Sequence, residues 1–95
     1  MARYHIVHWK DIPSLVDASH GDDTAQVQLS QRFQDLIDAL AMREGATESD
    51  AYLDGWGQTE AQERPGDAQA VADAVAAELE AGFQQLLMRR FMPPP

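Results

Sequence analysis

The pattern that most constrains the fold is a long apolar stripe between Asp67 and Met88. Its members recur at helical spacing, which places them on one face of a helix. The alanines between them favour a helix, and Asp67 is a favourable N-cap. We therefore predict a helix from Asp67 to about Met88, weakened locally or closely packed at Gly82. The apolar positions are Val71, Val75, Leu79, Phe83, Leu86 and Leu87.

A second apolar stripe follows Ser30. Its spacing also indicates one face of a helix, with Ser30 as N-cap and Gly45 as C-cap. We predict this helix over residues 31–44. The stripe contains Phe33, Leu36, Ile37, Leu40 and Ala41.

Three segments favour strands. Residues 3–9 are rich in aromatic and β-branched side chains, and Asp11-Ile12-Pro13 is expected to end the strand because proline has no N–H to donate. Residues 25–29 alternate between polar and apolar, so we expect them to pair antiparallel with the first strand. A third extended segment is expected from Ala51 to about Thr59, with a bulge at Gly55 or, alternatively, a tight hairpin turn there.

The remaining segments are polar and are expected to be loops, over residues 14–24, 46–50 and 58–66. Within the first of them, Leu15 and Val16 either anchor the loop or form a short extension of strand. The predicted order is β-β-α-β-α, which belongs to the α+β class. Two helices would cover one face of a three-stranded, mainly antiparallel sheet. We expect a single domain over residues 1–88, followed by a flexible, apolar and proline-rich tail over residues 89–95.

The amino-acid composition excludes several kinds of site and partner. The 95 residues suffice for one modest core, and the absence of cysteine excludes a disulfide framework, a thiolate zinc site and a cysteine nucleophile. No apolar run is long enough to span a bilayer, and the N-terminus lacks a signal-peptide core, so we expect a cytoplasmic protein. The net charge of −9 repels phosphate groups and anionic lipids. Nucleic acids and membranes are therefore not expected as partners.

The sequence contains no recognisable catalytic arrangement. His5 and His8 point to opposite faces of a regular strand, and His20 could reach them only if its loop folded back. The Gly55-Trp56-Gly57 segment lacks the lysine and following helix of a phosphate loop. We expect no bound metal, no cofactor and no catalytic activity of the chain on its own.

The aromatic residues indicate binding instead. With Ile6, Val27 and Leu53 under the helices, Trp9 and the other aromatic groups would face the uncovered side of the sheet. The alternative is that the tryptophans simply enlarge the core. Aromatic side chains near lysine or arginine are typical interface anchors. The predicted partner-binding residues are Trp9, Lys10, Tyr52, Trp56, Arg64, Phe91 and Met92.

Two further possibilities remain open. His8, Trp9 and Lys10 could line a pocket near the end of the first strand, as in a small-ligand binder or minor enzyme. Self-association could use exposed strand edges or the C-terminal tail, since Leu86, Leu87, Met88, Phe91 and Met92 exceed one helical stripe.

Several motifs together resemble a small bacterial family that carries the label virulence factor. The motifs are Tyr4-x-Ile6-x-His8-Trp9-Lys10-Asp11-Ile12-Pro13, Arg32-Phe33, Ile37-Asp38, Ala41-Met42, Ser49-Asp50-Ala51-Tyr52-Leu53-Asp54-Gly55-Trp56 and Glu63-Arg64-Pro65-Gly66-Asp67. The resemblance covers about residues 2–84, and residues 85–95 look like an extension beyond it.

The label of this family describes a phenotype and supplies no catalytic residues. Similar segments occur as stand-alone proteins and within larger bacterial proteins that contain helical repeats. The stand-alone members are associated with one-carbon, folate and corrinoid genes. The resemblance thus implies an accessory subunit that binds a larger cytosolic protein, such as a folate-linked enzyme of one-carbon metabolism.

Overall fold

The computed structural model describes residues 1–45 and 49–91, and within them five strands and four helices form an α+β fold. The predicted class is confirmed, whereas the predicted numbers of strands and helices were too small. The elements are β1 (Ala2–Trp9), β2 (Ile12–His20), β3 (Asp23–Gln28), α1 (Gln31–Arg43), α2 (Ser49–Asp54), β4 (Trp56–Gln58), β5 (Gln62–Arg64), α3 (Ala68–Ala81) and α4 (Phe83–Phe91).

The sheet is antiparallel, and β2 lies between β1 and β3. The predicted pairing of the first strand with residues 25–29 was therefore wrong, because residues 12–20 form a strand rather than a loop. Val16 and Ala18 face the core while Asp17 and Ser19 alternate with them, which is the period of a strand with one buried face.

β1 ends at Trp9, as predicted, and a turn follows at Lys10 and Asp11, but Pro13 does not cause this end. Pro13 is the second residue of β2 and lies opposite His8, next to a register shift between Val7 and His8. The pairing with β3 begins only at Leu15. Proline is tolerated there because a ladder hydrogen bond can be missing at strand starts and bulges.

β4 and β5 both pair with the other edge of β1, at its opposite ends. Of the third extended segment, predicted from Ala51 to about Thr59, only residues 56–58 form a strand. Residues 51–54 belong to α2, and Gly55 is the turn from α2 into the short strand β4, so it is neither the bulge nor the hairpin considered above. The loop predicted over 58–66 contains β5. Residues 46–48 of the predicted connection lie outside the described residues.

Helix α1 agrees with its prediction, and Gly45 follows it with a φ of 73°. Ser30 occupies the N-cap position but does not cap the helix with its side chain. Instead its backbone N–H donates to Glu80 Oε2 at 2.6 Å and its hydroxyl donates to Glu80 Oε1 at 2.8 Å. A carboxylate from α3 thus lies at the positive end of α1, where it is favoured electrostatically.

The predicted C-terminal helix is two helices. Asp67 Oδ1 accepts a hydrogen bond from Ala70 N at 2.8 Å, which confirms the predicted cap. The helix is interrupted at Gly82, after which α4 continues to Phe91. Residues 89–91, expected to belong to the tail, are therefore helical, and residues 92–95 lie outside the described residues.

One core lies between the sheet and the helices, and its largest fully enclosed side chains are Trp9, Ile12, Val16, Phe33, Ile37, Leu40 and Val71. Ile6 and Val27, expected beneath the helices, are half-buried against this core. Leu53, also expected there, is 63% exposed, so that placement was wrong. No described helix is long and apolar enough to cross a membrane.

Candidate functional site

Two of the family motifs meet at one corner of the molecule, where α2 covers the end of β1. Trp9 stacks on Tyr52 with ring centroids 5.9 Å apart, and its indole N–H donates to the Tyr52 carbonyl at 2.7 Å. Trp56 approaches Tyr52 edge-on at 6.0 Å. Three of the aromatic residues predicted as anchors are therefore in contact, and they cover part of one another's surface.

Trp9 is fully buried, so the expectation that it faces the uncovered side of the sheet was wrong. The register shift between Val7 and His8 immediately precedes it, and bulges of this kind redirect the side chains that follow. Trp9 lies opposite Ile12, which is also fully enclosed. A Cβ at Gly55 would lie 2.4 Å from Trp9 Nε1, which is too close for any side chain. The turn after α2 therefore requires a glycine at this position.

Lys10 is held by contacts within the chain. It adopts a φ of 51°, which is unusual for a residue with a side chain, and its N–H donates to the Gly55 carbonyl at 2.7 Å. Its ammonium group lies 2.6 Å from Glu44 Oε1 and 5.0 Å from the centre of the Trp9 ring. The hydrogen bond from Lys10 lowers the pKa of Glu44. The Lys10 side chain is 40% exposed, and its ammonium has N–H donors beyond the one given to Glu44, so its part in binding a partner stays a prediction.

Arg64 is also paired internally. Its guanidinium binds the Glu78 carboxylate through two hydrogen bonds, of 3.1 and 2.5 Å, and thereby connects β5 to α3. This contact raises the pKa of Arg64 and lowers the pKa of Glu78. Of the two predicted C-terminal anchors, Phe91 is the last residue of α4, and Met92 lies outside the described residues.

An exposed apolar surface lies beside the aromatic corner. We call it the α1–α2 hollow: a depression of about 340 Å³ lined by Asp38, Ala41, Met42 and Tyr52. Met42 is 72% exposed, and Leu53, the neighbour of Tyr52, is 63% exposed. Helix α2 adds two exposed carboxylates, Asp50 and Asp54. The lining of the hollow is thus mainly apolar, with one carboxylate, that of Asp38.

Sequence reasoning did not select Met42 as a surface residue. The pattern could have shown it, because Met42 follows Asp35 and Asp38 at helical spacing and so belongs to the polar face of α1. Leu53 was misplaced because the segment was assigned to a strand. On α2 it is exposed, while Tyr52 turns inward.

A second depression, of about 330 Å³, lies over β1 and β2 and includes Arg3, His5, Asp17 and Ser19 in its lining. His5 Nε2 lies 3.5 Å from Asp17 Oδ2 across the two strands. Both side chains are about one-third exposed, at 27% and 32%, so water screens the pair. It is a partly solvent-exposed contact between a histidine and an aspartate on neighbouring strands.

The charged groups with altered pKa values belong to structural contacts. Burial acts to raise the pKa of Glu80, but hydrogen bonds from the Ser30 backbone and hydroxyl, together with Arg32, outweigh it and lower the pKa. Within residues 1–45 and 49–91, no group of three or more metal-binding side chains could hold an ion. His8, proposed above to line a pocket, is half-buried, and its Nδ1 has no hydrogen-bond partner among the described residues.

Residues 7–91 match the model of the family described as Virulence factor, and the chain therefore belongs to this family. The match extends to Phe91, so most of the segment that looked like an extension is part of the family pattern. No curated protein and no solved structure matches the chain.

Proposed function

We propose that this member of the Virulence factor family is a non-catalytic accessory domain that binds a larger protein through the α1–α2 hollow. The observation that carries the proposal is the exposure of Met42 in a depression that Tyr52 also lines. Leu53, which follows Tyr52 in α2, is exposed as well. Large apolar side chains clustered at a depression are typical of protein interfaces.

The chemistry of the hollow indicates what it would bind. An apolar side chain of the partner would lie against Met42 and Tyr52, and flanking lysine or arginine groups would face Asp38 and Asp54. The net charge of −9 would speed encounter with such a basic surface, and added salt would slow it. The expected partner is therefore a protein surface with an apolar centre and a basic margin.

The identity of the larger protein is proposed from the family resemblance alone: a cytoplasmic, folate-linked enzyme of one-carbon metabolism. The alternative, a small-ligand site formed by His8, Trp9 and Lys10, is less well supported. Trp9 is fully enclosed, and the Lys10 ammonium is paired with Glu44. A change of tryptophan fluorescence on addition of folates or nucleotides would favour that alternative.

The test starts with the protein recovered from native extract together with its bound partner. After the partner is identified and purified, its affinity is measured for the wild type and for the double variant M42S/L53S. We expect the double substitution to weaken binding at least tenfold, because it removes apolar contact without removing a core residue. The free energy of unfolding should change by less than about 0.5 kcal/mol for each of the two substitutions, because both sites are exposed.

Met88→Ser is the matched control, since Met88 is 47% exposed on α4 and does not line the hollow. It should leave the affinity unchanged. The proposal is wrong if M42S/L53S binds the partner as tightly as the wild type does, or if the chain is recovered from native extract without a partner.

A further inference from the structure

The outer edge of β3 presents unpaired backbone groups. β3 pairs with β2 from Leu15↔Gln28 to His20↔Asp23 with no register shift, and Leu29 N donates to the Ser14 carbonyl at 2.9 Å. Hydrogen-bonded residues alternate along an antiparallel ladder. The backbone N–H and C=O groups of the odd-numbered residues of β3 therefore point toward β2. The N–H and C=O groups of Thr24, Gln26 and Gln28 therefore point away from the sheet.

This edge lacks the features that usually prevent strands from pairing. Residues 24–28 contain no proline and no charged side chain, and the strand has no bulge. Within the described ranges, no hydrogen bond reaches the outward backbone groups of Thr24, Gln26 or Gln28. The edge is thus available to another strand.

The geometry points to a second copy of this chain as that partner, paired antiparallel through β3 with the two-fold axis at Gln26. In this register Gln26 faces Gln26, Thr24 faces Gln28 and Ala25 faces Val27. Each facing pair consists of side chains on the same side of the sheet, as antiparallel pairing requires. The outward groups of both copies would form about six N–H···O bonds.

The side chains of β3 are compatible with this symmetry. Ala25 is buried and Val27 is half-buried on the core side, so their pairing would extend the apolar face from one copy to the other. Thr24, Gln26 and Gln28 are exposed and uncharged. Asp23 lies beyond the last facing pair, so no carboxylates meet across the axis.

Charge and area set the strength of the dimer. Two chains of net charge −9 repel each other over distances that salt screens, so the dimer should strengthen as salt is added. Binding to a basic partner at the α1–α2 hollow should weaken under the same change. A strand pair alone buries less area than a standard stable interface, about 1,200–2,000 Å², so we expect a weak, concentration-dependent dimer.

The register can be tested by thiol crosslinking, because the chain has no cysteine of its own. Gln26→Cys places two thiols across the axis, with Cα atoms about 5.5 Å apart. A short bis-maleimide should join this variant into a covalent dimer. Thr24→Cys is the matched control, since its two copies would be separated by about four residues of strand. A mixture of Thr24→Cys and Gln28→Cys should crosslink.

A second pair of variants tests the backbone bonds. Gln26→Pro removes an outward N–H without removing a bond to β2, and edge strands tolerate proline there. Sedimentation should show dimerisation weakened at least tenfold, whereas Gln26→Ala, which keeps the N–H, should stay within about threefold. If the proline variant fails to fold, Gln26→Lys replaces it in the same measurement. It places two lysine side chains opposite each other across the axis, and their repulsion should also weaken dimerisation.

The inference is overturned by any of three results. The wild type could remain a monomer at high concentration and high salt. Gln26→Cys could crosslink no faster than Thr24→Cys. Finally, a wild-type dimer could persist unchanged in Gln26→Pro and Gln26→Lys. If the wild type stays monomeric and a partner protein loses affinity for Gln26→Pro, the β3 edge pairs with a strand from another protein instead.

Discussion

The two edges of the sheet differ in how their backbone groups are satisfied. The β3 edge is regular over six residues and is left open. The opposite edge, along β1, is closed by two strands of three residues each. Between them Thr59 completes the ladder, since its Oγ1 accepts from Ile6 N at 2.9 Å and its N–H donates to the Ile6 carbonyl at 2.9 Å.

The comparison shows what many of the family motif residues do. Trp9, Tyr52, Gly55 and Trp56 lie at the closed edge, where they hold α2 and β4 against the end of β1, and Arg64 ties β5 to α3. The contacts of these motif residues are therefore structural ones, made where short elements close the edge. Function is therefore better sought in the exposed residues beside them and at the open edge.

The largest expected effect comes from disrupting the closed edge at Gly55. Gly55→Ala would place a Cβ 2.4 Å from the enclosed Trp9 indole, which cannot retreat. We expect the free energy of unfolding to fall by about 2–3 kcal/mol in chemical denaturation. Gly57→Ala is the control, since its Cβ would lie 3.3 Å from the half-buried His8 ring. It should lower the free energy of unfolding by less than Gly55→Ala does. Equal effects would contradict this account of the corner.

A smaller effect is expected at Thr59. Thr59→Val keeps the shape of the side chain but leaves the half-buried Ile6 N–H without its acceptor, which should cost about 1–2 kcal/mol. Thr24→Val makes the same chemical change at the open edge, and its effect should stay within about 0.5 kcal/mol. If the two variants lost equal stability in the same denaturation experiment, the contrast between the edges would not hold.

The smallest effect concerns the Arg64–Glu78 pair and depends on pH. The hydrogen bond from Arg64 depresses the pKa of Glu78, so its contribution is present above the ordinary glutamate value, about 4.3, and is lost as the pH falls through the lower folded-state pKa. The stability difference between the wild type and Glu78→Gln should therefore be small but measurable at neutral pH and vanish in acid. A difference that persisted in acid would show that the contact does not act through charge.

Local patterns predicted the elements that carry their own start and stop residues. Asp67 caps α3 and Gly45 follows α1, as expected. Local patterns did not predict the elements whose conformation depends on contacts with other parts of the fold. α2 is too short to display a helical period, and Tyr52 and Leu53 favoured a strand. β2 was missed because Pro13 and the following polar residues suggested a loop, although the alternation from Val16 to Ser19 was present.

The site was predicted less completely than the fold. Tyr52 and Trp56 were both selected as partner-binding residues and lie in contact, but the exposed Met42 and Leu53 were not selected. An aromatic residue in a strand is equally suited to a core or to an interface, and the sequence of the strand does not show which face is covered. The cap that Glu80 supplies to α1 was missed for a similar reason, since its partners lie 50 residues away.

The sequence by itself determined the α+β class, the position of α1, the start of α3 and the two strands with the clearest patterns, because each depends on residues close together in the chain. The tertiary structure decided that Trp9 is buried, which edge of the sheet is closed and which apolar groups stay exposed. Burial depends on which distant element covers a strand, and a bulge or a short helix can alter that without changing the local pattern. The open edge of β3 and the α1–α2 hollow are consequences of that arrangement.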